Sequence, residues 1–306
     1  MKQECNCDNG TAEAIYNYFL LQKKFMTLIN ISEWRDGEVL VETILDVEGR
    51  KHHIFHTIVG RRCNEVLSKA LAHFVSDQAK VNVAITFNDN GFILTTPTRT
   101  ATNIFQALEM LKVCNLRETC EKALLKSEAM KRRFRHVATR SFLILKNYLG
   151  NKKSVGRQQL SAQILLGVCK RIPNFPLISE TYREILEDAM DLKNAELFLR
   201  ELKDGRRRLK FAKAVDLPSP FAHNLFTEGM SDAVIMQDRK ILLEQLHAAV
   251  MLRVYRSEKN AGKIIEEEAK QKELQLKVVE KLKEKREKKS KASAKKKDRS
   301  AGRVYG

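Results

Sequence analysis

The chain has 306 residues, with 56 Lys and Arg against 38 Asp and Glu, a formal net charge of +18 and 43% hydrophobic residues. That apolar content sustains a core and excludes wholesale disorder, while 13 Gly and 5 Pro are too few for a many-turned all-β fold. No apolar run reaches the roughly 18–20 residues of a membrane span, and the opening MKQECNCDNG lacks the apolar stretch of a signal peptide. A cytoplasmic setting is therefore expected, with the six cysteines kept as reduced thiols. A chain this basic is expected to meet a polyanion, nucleic acid first.

Residues 1–12 read as a loose lead-in. Ala14–Ile31 is apolar and aromatic and predicts a helix running into a strand. Val39–Val47 and His52–Val59 read as strands joined by turn chemistry at Gly49, and Cys63–Ser76 carries Val66, Leu67, Ala70, Leu71 and Phe74 at helical spacing. Val81–Phe87 alternates cleanly, and Asn88-Asp89-Asn90-Gly91 turns it back through Phe92–Thr95. From Thr100 the pattern is helical, over Thr102–Val113, Leu116–Lys126, Ala129–Leu149, Gln158–Arg171, a segment capped by Ser179 through Ala189, and Leu192–Lys203. Arg206–Val215 suggests a further strand before Pro218, and Asp238–Tyr255 an amphipathic helix. The expectation is an α+β fold: a β-β-α-β-β sheet-plus-helix unit over 13–98, a mainly helical domain over 99–258, and a basic low-complexity tail over 259–306, helical and fraying into disorder.

The positive charge is concentrated. The tail Ser257–Gly306 holds 17 basic and 9 acidic residues, net +8. Lys112–Lys153 holds 12 against 3, net +9, and Arg200–Lys213 holds 7 against 2, net +5. The last two fall in expected folded structure, where a basic face is more informative than a basic tail. On the Ala129–Leu149 segment, Lys131, Arg132, Arg135 and Arg140 with Lys146 form a candidate basic band, because positions 132, 135, 139, 142 and 146 recur every three to four residues. Phe134, Val137, Ala138 and Leu145 take another side. Arginines so arranged suit phosphate oxygens, which accept two donors from one guanidinium; structural ion pairing is the competing reading. A second candidate is Gly60-Arg61-Arg62-Cys63-Asn64, at a strand end that opens a helix whose N-terminus favours anions. There Asn64 either caps the helix or bonds to a base or phosphate. Arg157 and Gln158, with Gln159, offer similar donors at the next helix start. Glu180, Tyr182, Arg183, Glu184 and Asp188 supply both signs of charge among apolar neighbours and read as an internal polar network.

Catalytic signals are missing from the sequence. It has no GxxxxGK[ST] loop, no GxGxxG after a strand, no DExH quartet, no HExxH and no paired CxxC. His52, His53 and His56 read as strand-face histidines making hydrogen bonds rather than as metal ligands. No catalytic residue and no metal site is assigned, and an independent hydrolase lacks its constellation.

Four stretches together resemble one family. Phe55-His56-Thr57-Ile58-Val59-Gly60-Arg61-Arg62-Cys63-Asn64-Glu65-Val66-Leu67-Ser68 resembles the HT-x-x-GRR-x-N-x-x-LS segment of large helicase-related (Lhr-type) proteins and the archaeal Ski-like helicases related to them. Arg132–Arg140 followed by Ile144-Leu145 is similar to the family's FR-x-x-A-x-R…IL helix. Pro176–Asp188 is similar to its FP-x-x-x-E-x-YRE-x-x-x-D helix, and Pro218–His223 to its PSPF turn. In this order they run from Phe55 to His223, within a resemblance covering roughly residues 20–250, and belong to the helicase-associated region, also called DEAD/H-associated, that follows two RecA-like motor domains and a winged helix. The resemblance implies a non-catalytic region that contacts single-stranded or partly duplex RNA or DNA. ATP and Mg are expected only in the motor domains, fused elsewhere or carried by a partner chain. The alternative is a protein-interaction adaptor that docks a helicase motor or an RNA-processing nuclease.

Overall fold

A computed structural model of the chain describes residues 6–46, 49–97, 103–125, 127–148, 150–229 and 236–257. The expected tail lies outside the described residues. The described chain is α+β, as the sequence implied, and its described residues separate into two compact units: those within 29–218 with 224–229, and those within 6–28 with 219–223 and 236–257.

The larger unit is built on a five-stranded mixed sheet in the order β3-β4-β2-β1-β7. Its strands are β1 (Glu38–Leu45), β2 (Lys51–His56), β3 (Ala84–Phe87), β4 (Phe92–Thr96) and β7 (Arg208–Phe211). The first four are joined by antiparallel pairing, and α2 (Arg61–Ala79) stands between β2 and β3 as the sequence order predicts. The β3–β4 turn requires its glycine: a Cβ on Gly91 would lie 2.0 Å from the Phe55 carbonyl oxygen. β7 pairs in parallel with β1, Glu38 opposite Arg208 and Val41 opposite Phe211, and an isolated bridge from Ile44 to Val215 extends the contact.

In β1, Val39, Leu40, Val41 and Ile44 are all buried, so this strand reads as a nearly continuous apolar run, the pattern of a strand covered on both faces. On one face Val39, Val41, Phe55, Phe92 and Leu94 meet Val66, Leu67, Ala70 and Leu71 of α2, and Phe55 stacks on Phe92 with centroids 4.6 Å apart. The same cluster runs on through α3 (Ile104–Val113), α4 (Leu116–Leu124), α5 (Glu128–Arg140), α6 (Val155–Cys169) and α8 (Leu192–Lys203). One apolar core thus crosses residue 98. The buried thiols Cys63 and Cys120 lie within it, each pushed up to about 12 by burial, which keeps them protonated.

The opposite sheet face carries polar groups under cover. Glu42, fully buried in mid-strand, is 2.7 Å from His56 Nε2, and the ring of Trp34 stands edge-on to His56 at 5.9 Å. His52 meets Thr95 Oγ1 at 2.9 Å, Asp46 at 3.1 Å and the ring of Phe226 at 5.2 Å. Phe226 belongs to α9 (His223–Gly229), preceded by the 3₁₀ turn Pro220–Ala222. A buried carboxylate is tolerated because it has a hydrogen-bonding partner.

Several helices begin where side chains accept their first free N–H groups: Asn103 for α3, Asn115 for α4, Ser127 for α5, Ser154 for α6 and Asp191 for α8. Several boundaries differ from the sequence reading: α1 begins at Asn9, inside the expected lead-in, and two differences lie beside the site. The segment expected as one helix over 129–149 stops at Arg140; Phe142 then takes a left-handed φ of 59°, and a short hairpin of β5 (Asn147–Tyr148) and β6 (Asn151–Lys152) follows. The segment expected to be capped by Ser179 starts earlier, as α7 (Pro176–Arg183) with proline in its first turn, and widens into a π-helix over Glu184–Ala189. In the smaller unit, α1 (Asn9–Leu28) is helical throughout and α10 (Met236–Ser257) accompanies it. Phe221 of the PSPF turn packs between Tyr18 and Phe19, 5.1 Å from each ring, while Tyr18 Oη donates to the Pro220 carbonyl over 2.9 Å.

His53 generates a test of the sheet. Its Nδ1 meets Thr43 Oγ1 at 3.1 Å, its buried Nε2 has no hydrogen-bond partner among the described residues, and burial, with Lys51 and His52 nearby, lowers its pKa to about 4. The unfolded chain takes up this proton near pH 6.5 and the folded chain resists it. Stability is therefore complete above about pH 6.5 and falls as the pH drops toward 4, by on the order of 3 kcal/mol. Urea unfolding between pH 7 and pH 4.5 should show this loss, and His53→Leu should flatten it. An equally steep loss in the variant would assign the effect to other groups.

Candidate nucleic-acid interface

The α5 sequence sorts its side chains by direction. Met130, Phe134, Val137 and Ala138, spaced four, three and one, are buried. Arg133 and Arg140, seven apart, point to a single carboxylate: Glu184, 4% exposed at the start of the π-helix, accepts from Arg140 and lies 3.5 Å from Arg133. Lys131, Arg132 and Arg135 take the remaining side and, with Glu128 and Ala129, form one wall of a groove of about 460 Å³. Gln159, Ala162 and Gln163 of α6 form the other wall. Lys131 pairs with Glu128 at 2.6 Å, whereas Arg132 and Arg135 have no side-chain partner among the described residues. Two guanidinium groups thus stand beside two amides in an open groove whose one carboxylate, Glu128, is paired with Lys131.

The local field is strongly positive. His136, exposed beside these groups, has its pKa lowered by partial desolvation and then by Arg135, Arg133, Arg140 and Lys146. Lys170, whose ammonium donates to the Leu125 carbonyl, is likewise lowered by desolvation and by Lys131. The Arg200–Lys213 cluster is different, because much of its charge is matched internally. Arg207 donates to Glu201 at 2.5 Å, Arg206 to Asp204 at 3.1 Å and Lys210 to Glu38 at 3.1 Å.

The structure divides the expected band. Lys131, Arg132 and Arg135 share the groove; Arg140 is turned to Glu184; and Lys146, beyond the helix end, is exposed in the segment leading into β5. The regular spacing predicted a continuous band only because it presumed a continuous helix. Arg157 is exposed in the first turn of α6 without a side-chain partner among the described residues, and Gln158 donates to the Lys153 carbonyl at 2.9 Å.

The Gly60–Asn64 cluster is used by the fold itself. Asn64 is completely buried: its Oδ1 accepts from Thr57 at 2.5 Å, and its Nδ2 donates to the carbonyls of Asn88 at 2.8 Å and Asp89 at 3.3 Å. Its side chain does not cap α2, and both of its polar atoms are engaged inside the fold. The free N–H at the start of that helix is already answered, because Arg61 N donates to the Asp89 carboxylate at 3.0 Å. The Arg61 guanidinium lies 5.6 Å over the Phe87 ring. Arg62 spans to the end of the π-helix, where Nη2 donates to the carbonyls of Glu187, Asp188 and Met190 at 2.8–2.9 Å and Nε to that of Ala189 at 3.2 Å. An arginine that satisfies a helix's last carbonyls in this way acts as its C-terminal cap.

The expected polar network falls into two parts. Arg183 joins Glu180 through two hydrogen bonds of 2.8 and 2.9 Å and Asp188 through one of 3.2 Å, all at the surface. Glu184 belongs instead with Arg133 and Arg140, and Tyr182 is buried in the core. Gln163 and the pairing role of Arg133 escaped the sequence reading. Glutamines at 159 and 163, one helical turn apart, were the available signal for the first. Among the described residues no group of three or more His, Cys, Asp or Glu is placed to hold a metal ion, and no helix is long and apolar enough to cross a membrane.

The fold and groove lie in a helicase-associated region: the family model described as DEAD/H associated matches residues 35–222, and the chain belongs to that family. More particularly it corresponds to a region of Lhr-type helicases. It is 46% identical over 252 residues to the ATP-dependent helicase Lhr-Core protein 2 of Thermococcus barophilus, covering 82% of this chain and 28% of that protein. It is 41% identical over 254 residues to the ATP-dependent helicase Lhr-Core of Methanocaldococcus jannaschii, with the same two shares. The chain thus spans little more than a quarter of the length of these relatives. Among solved structures, the Mycobacterium smegmatis helicase Lhr bound to ssDNA and AMP-PNP superposes with a TM-score of 0.53 at 24% identity, over 61% of this chain and 24% of that one, which shows a shared fold.

Glu184→Ala should remove the tie between α5 and the π-helix and lower stability by on the order of 2 kcal/mol, since two arginines lose a buried carboxylate but keep access to water. Urea midpoints will measure this. A change below about 0.5 kcal/mol, the range of ordinary surface substitutions, would show that the pair does not hold the helix.

Proposed function

We propose that this chain is a nucleic-acid-binding accessory region of an ATP-dependent Lhr-type helicase, gripping a single strand of RNA or DNA through the α5–α6 groove. A motor, elsewhere in the same polypeptide or on a partner chain, would hold ATP and Mg and hydrolyse the nucleotide. The observation that carries the reading is the pair Arg132 and Arg135, unpartnered among the described residues beside Gln159 and Gln163 in an open groove. Planar guanidinium groups match phosphate oxygens in geometry and charge. The Lhr-Core relatives are ATP-dependent helicases, and the M. smegmatis neighbour was solved with ssDNA, which supports a strand as the ligand.

A second reading, docking of a motor chain or a nuclease, is favoured by α6. Leu160, Ile164 and Val168, four residues apart, are 60%, 60% and 53% exposed. Its opposite side buries Ala162, Leu166 and Cys169, so this helix is apolar on two faces.

Titration of a labelled single strand at several salt concentrations separates the readings. Wild type should lose affinity steeply with salt, and Arg132→Ala/Arg135→Ala should flatten the slope of log K against log salt by about 0.7 per phosphate contact removed. Arg62→Ala should leave the slope unchanged. An unaltered slope in the double variant would sink the groove assignment, while Ile164→Lys is expected to disturb partner docking and leave strand binding intact.

His136 supplies a second readout. A polyanion laid on this face cancels part of the field that lowers its pKa, so strand binding should raise that pKa and take up a fraction of a proton. Affinity then increases as the pH falls through the His136 titration. An NMR titration of the imidazole with and without strand tests this, and identical curves at saturating strand would place the ligand elsewhere.

A further inference from the structure

Helix α5 ends in an unusual way. The left-handed position just past a helix is ordinarily taken by glycine, because a side chain there crowds the backbone. Here Phe142 occupies it with φ 59°, and the residue is 79% exposed. Two unfavourable features, a strained backbone and an aromatic ring in water, coincide at one residue without an evident offset in the fold. Among the described residues the ring stacks on no other aromatic group and lies under no cation. The turn beneath it is nonetheless well fixed: Phe142 N donates to the Thr139 carbonyl at 3.3 Å, and Ile144 N to the Ala138 carbonyl at 2.9 Å, with Ile144 buried as an anchor. The ring is therefore presented outward from a defined support. Strain of this kind concentrates where a side chain is held ready for a ligand.

The surroundings indicate which ligand. From Arg140 to Lys153 the chain carries Arg140, Lys146, Lys152 and Lys153 and no acidic residue. The Lys153 N–H donates to the Lys146 carbonyl at 2.8 Å, which closes the hairpin and brings those two positions together. Leu143 and Leu145 are about two-fifths exposed and extend the apolar surface. An apolar partner surface on another protein would have to tolerate this one-signed rim. A single-stranded nucleic acid matches both parts, with π-faces for the ring and phosphates for the lysines. We infer that Phe142 is a base-stacking platform for a single strand, with Lys146, Lys152 and Lys153 attracting the adjoining phosphates. This rests on the strand-binding function proposed above and adds a contact that reads bases rather than charge.

The test compares the full chain with Phe142→Gly and Phe142→Trp, using two labelled single strands of about 20 nucleotides, one of thymidine and one abasic. Glycine relieves the left-handed strain, so Phe142→Gly should melt no lower than wild type and about 2 °C higher. It should nevertheless bind the thymidine strand roughly 5- to 100-fold more weakly, with an unchanged salt slope, and the abasic strand equally well. Phe142→Trp should keep or improve thymidine binding. If Phe142→Gly binds thymidine as wild type does while Arg132→Ala/Arg135→Ala is impaired, the stacking role is overturned and strand binding stands; the ring would then serve a protein contact. If wild type binds neither strand, both the stacking role and the strand-binding function fall.

Discussion

A single buried carboxylate sets the direction of the candidate interface. Glu184 sits at the first residue of the π-helix, almost inaccessible to water, and an isolated charge there would be costly. It is tolerated because Arg140 and Arg133 converge on it from one side of α5. That convergence fixes the rotation of α5 about its own axis, already restricted by the burial of Met130, Phe134 and Val137. Once those two sides are committed, Arg132 and Arg135 can only face α6 and the groove. The arginines of one helix therefore divide: two orient it, and two are left facing the candidate groove. The π-helix is held from its other end by Arg62, whose guanidinium collects the last four carbonyls. Helix α2, the π-helix and α5 are linked in this way through charged side chains rather than apolar packing alone.

Much of the fold could be read in the sequence because its signals are local. The alternation of Val81–Phe87, the Asn88–Gly91 turn and the period of α2 each lie within about twenty residues of chain, and β1 to β4 form with α2 in the expected order. Two features escaped for physical reasons. The parallel pairing of β7 with β1 joins residues some 170 positions apart, and no local pattern marks a strand's partner. The helix of 128–140 was overextended because its stop signal is a phenylalanine in the conformation glycine usually takes, so composition gave no break.

The site was legible to the same extent. Helical spacing was enough to place Lys131, Arg132 and Arg135 together, since residues three and four apart share a side. It could not tell an arginine that faces water from one that meets a partner far along the chain. Arg62 with residues 187–190, Arg140 with Glu184 and Asn64 with Asn88 are all of this second kind. The motif Gly60-Arg61-Arg62-Cys63-Asn64 looks like an anion-binding loop by its residue types, but Asp89 from the neighbouring hairpin already supplies the anion.

The position of β7 bears on how this chain acquires its structure. Until residues 208–211 have been synthesised and docked, β1 has one row of backbone N–H and C=O groups without a strand partner. An open apolar edge of this sort invites pairing with another molecule. The helical segments from α3 to α8 lie between the two strands in the chain, and loops that long close slowly. A nascent chain paused before residue 208 would therefore present a sticky strand to the translation machinery's surroundings.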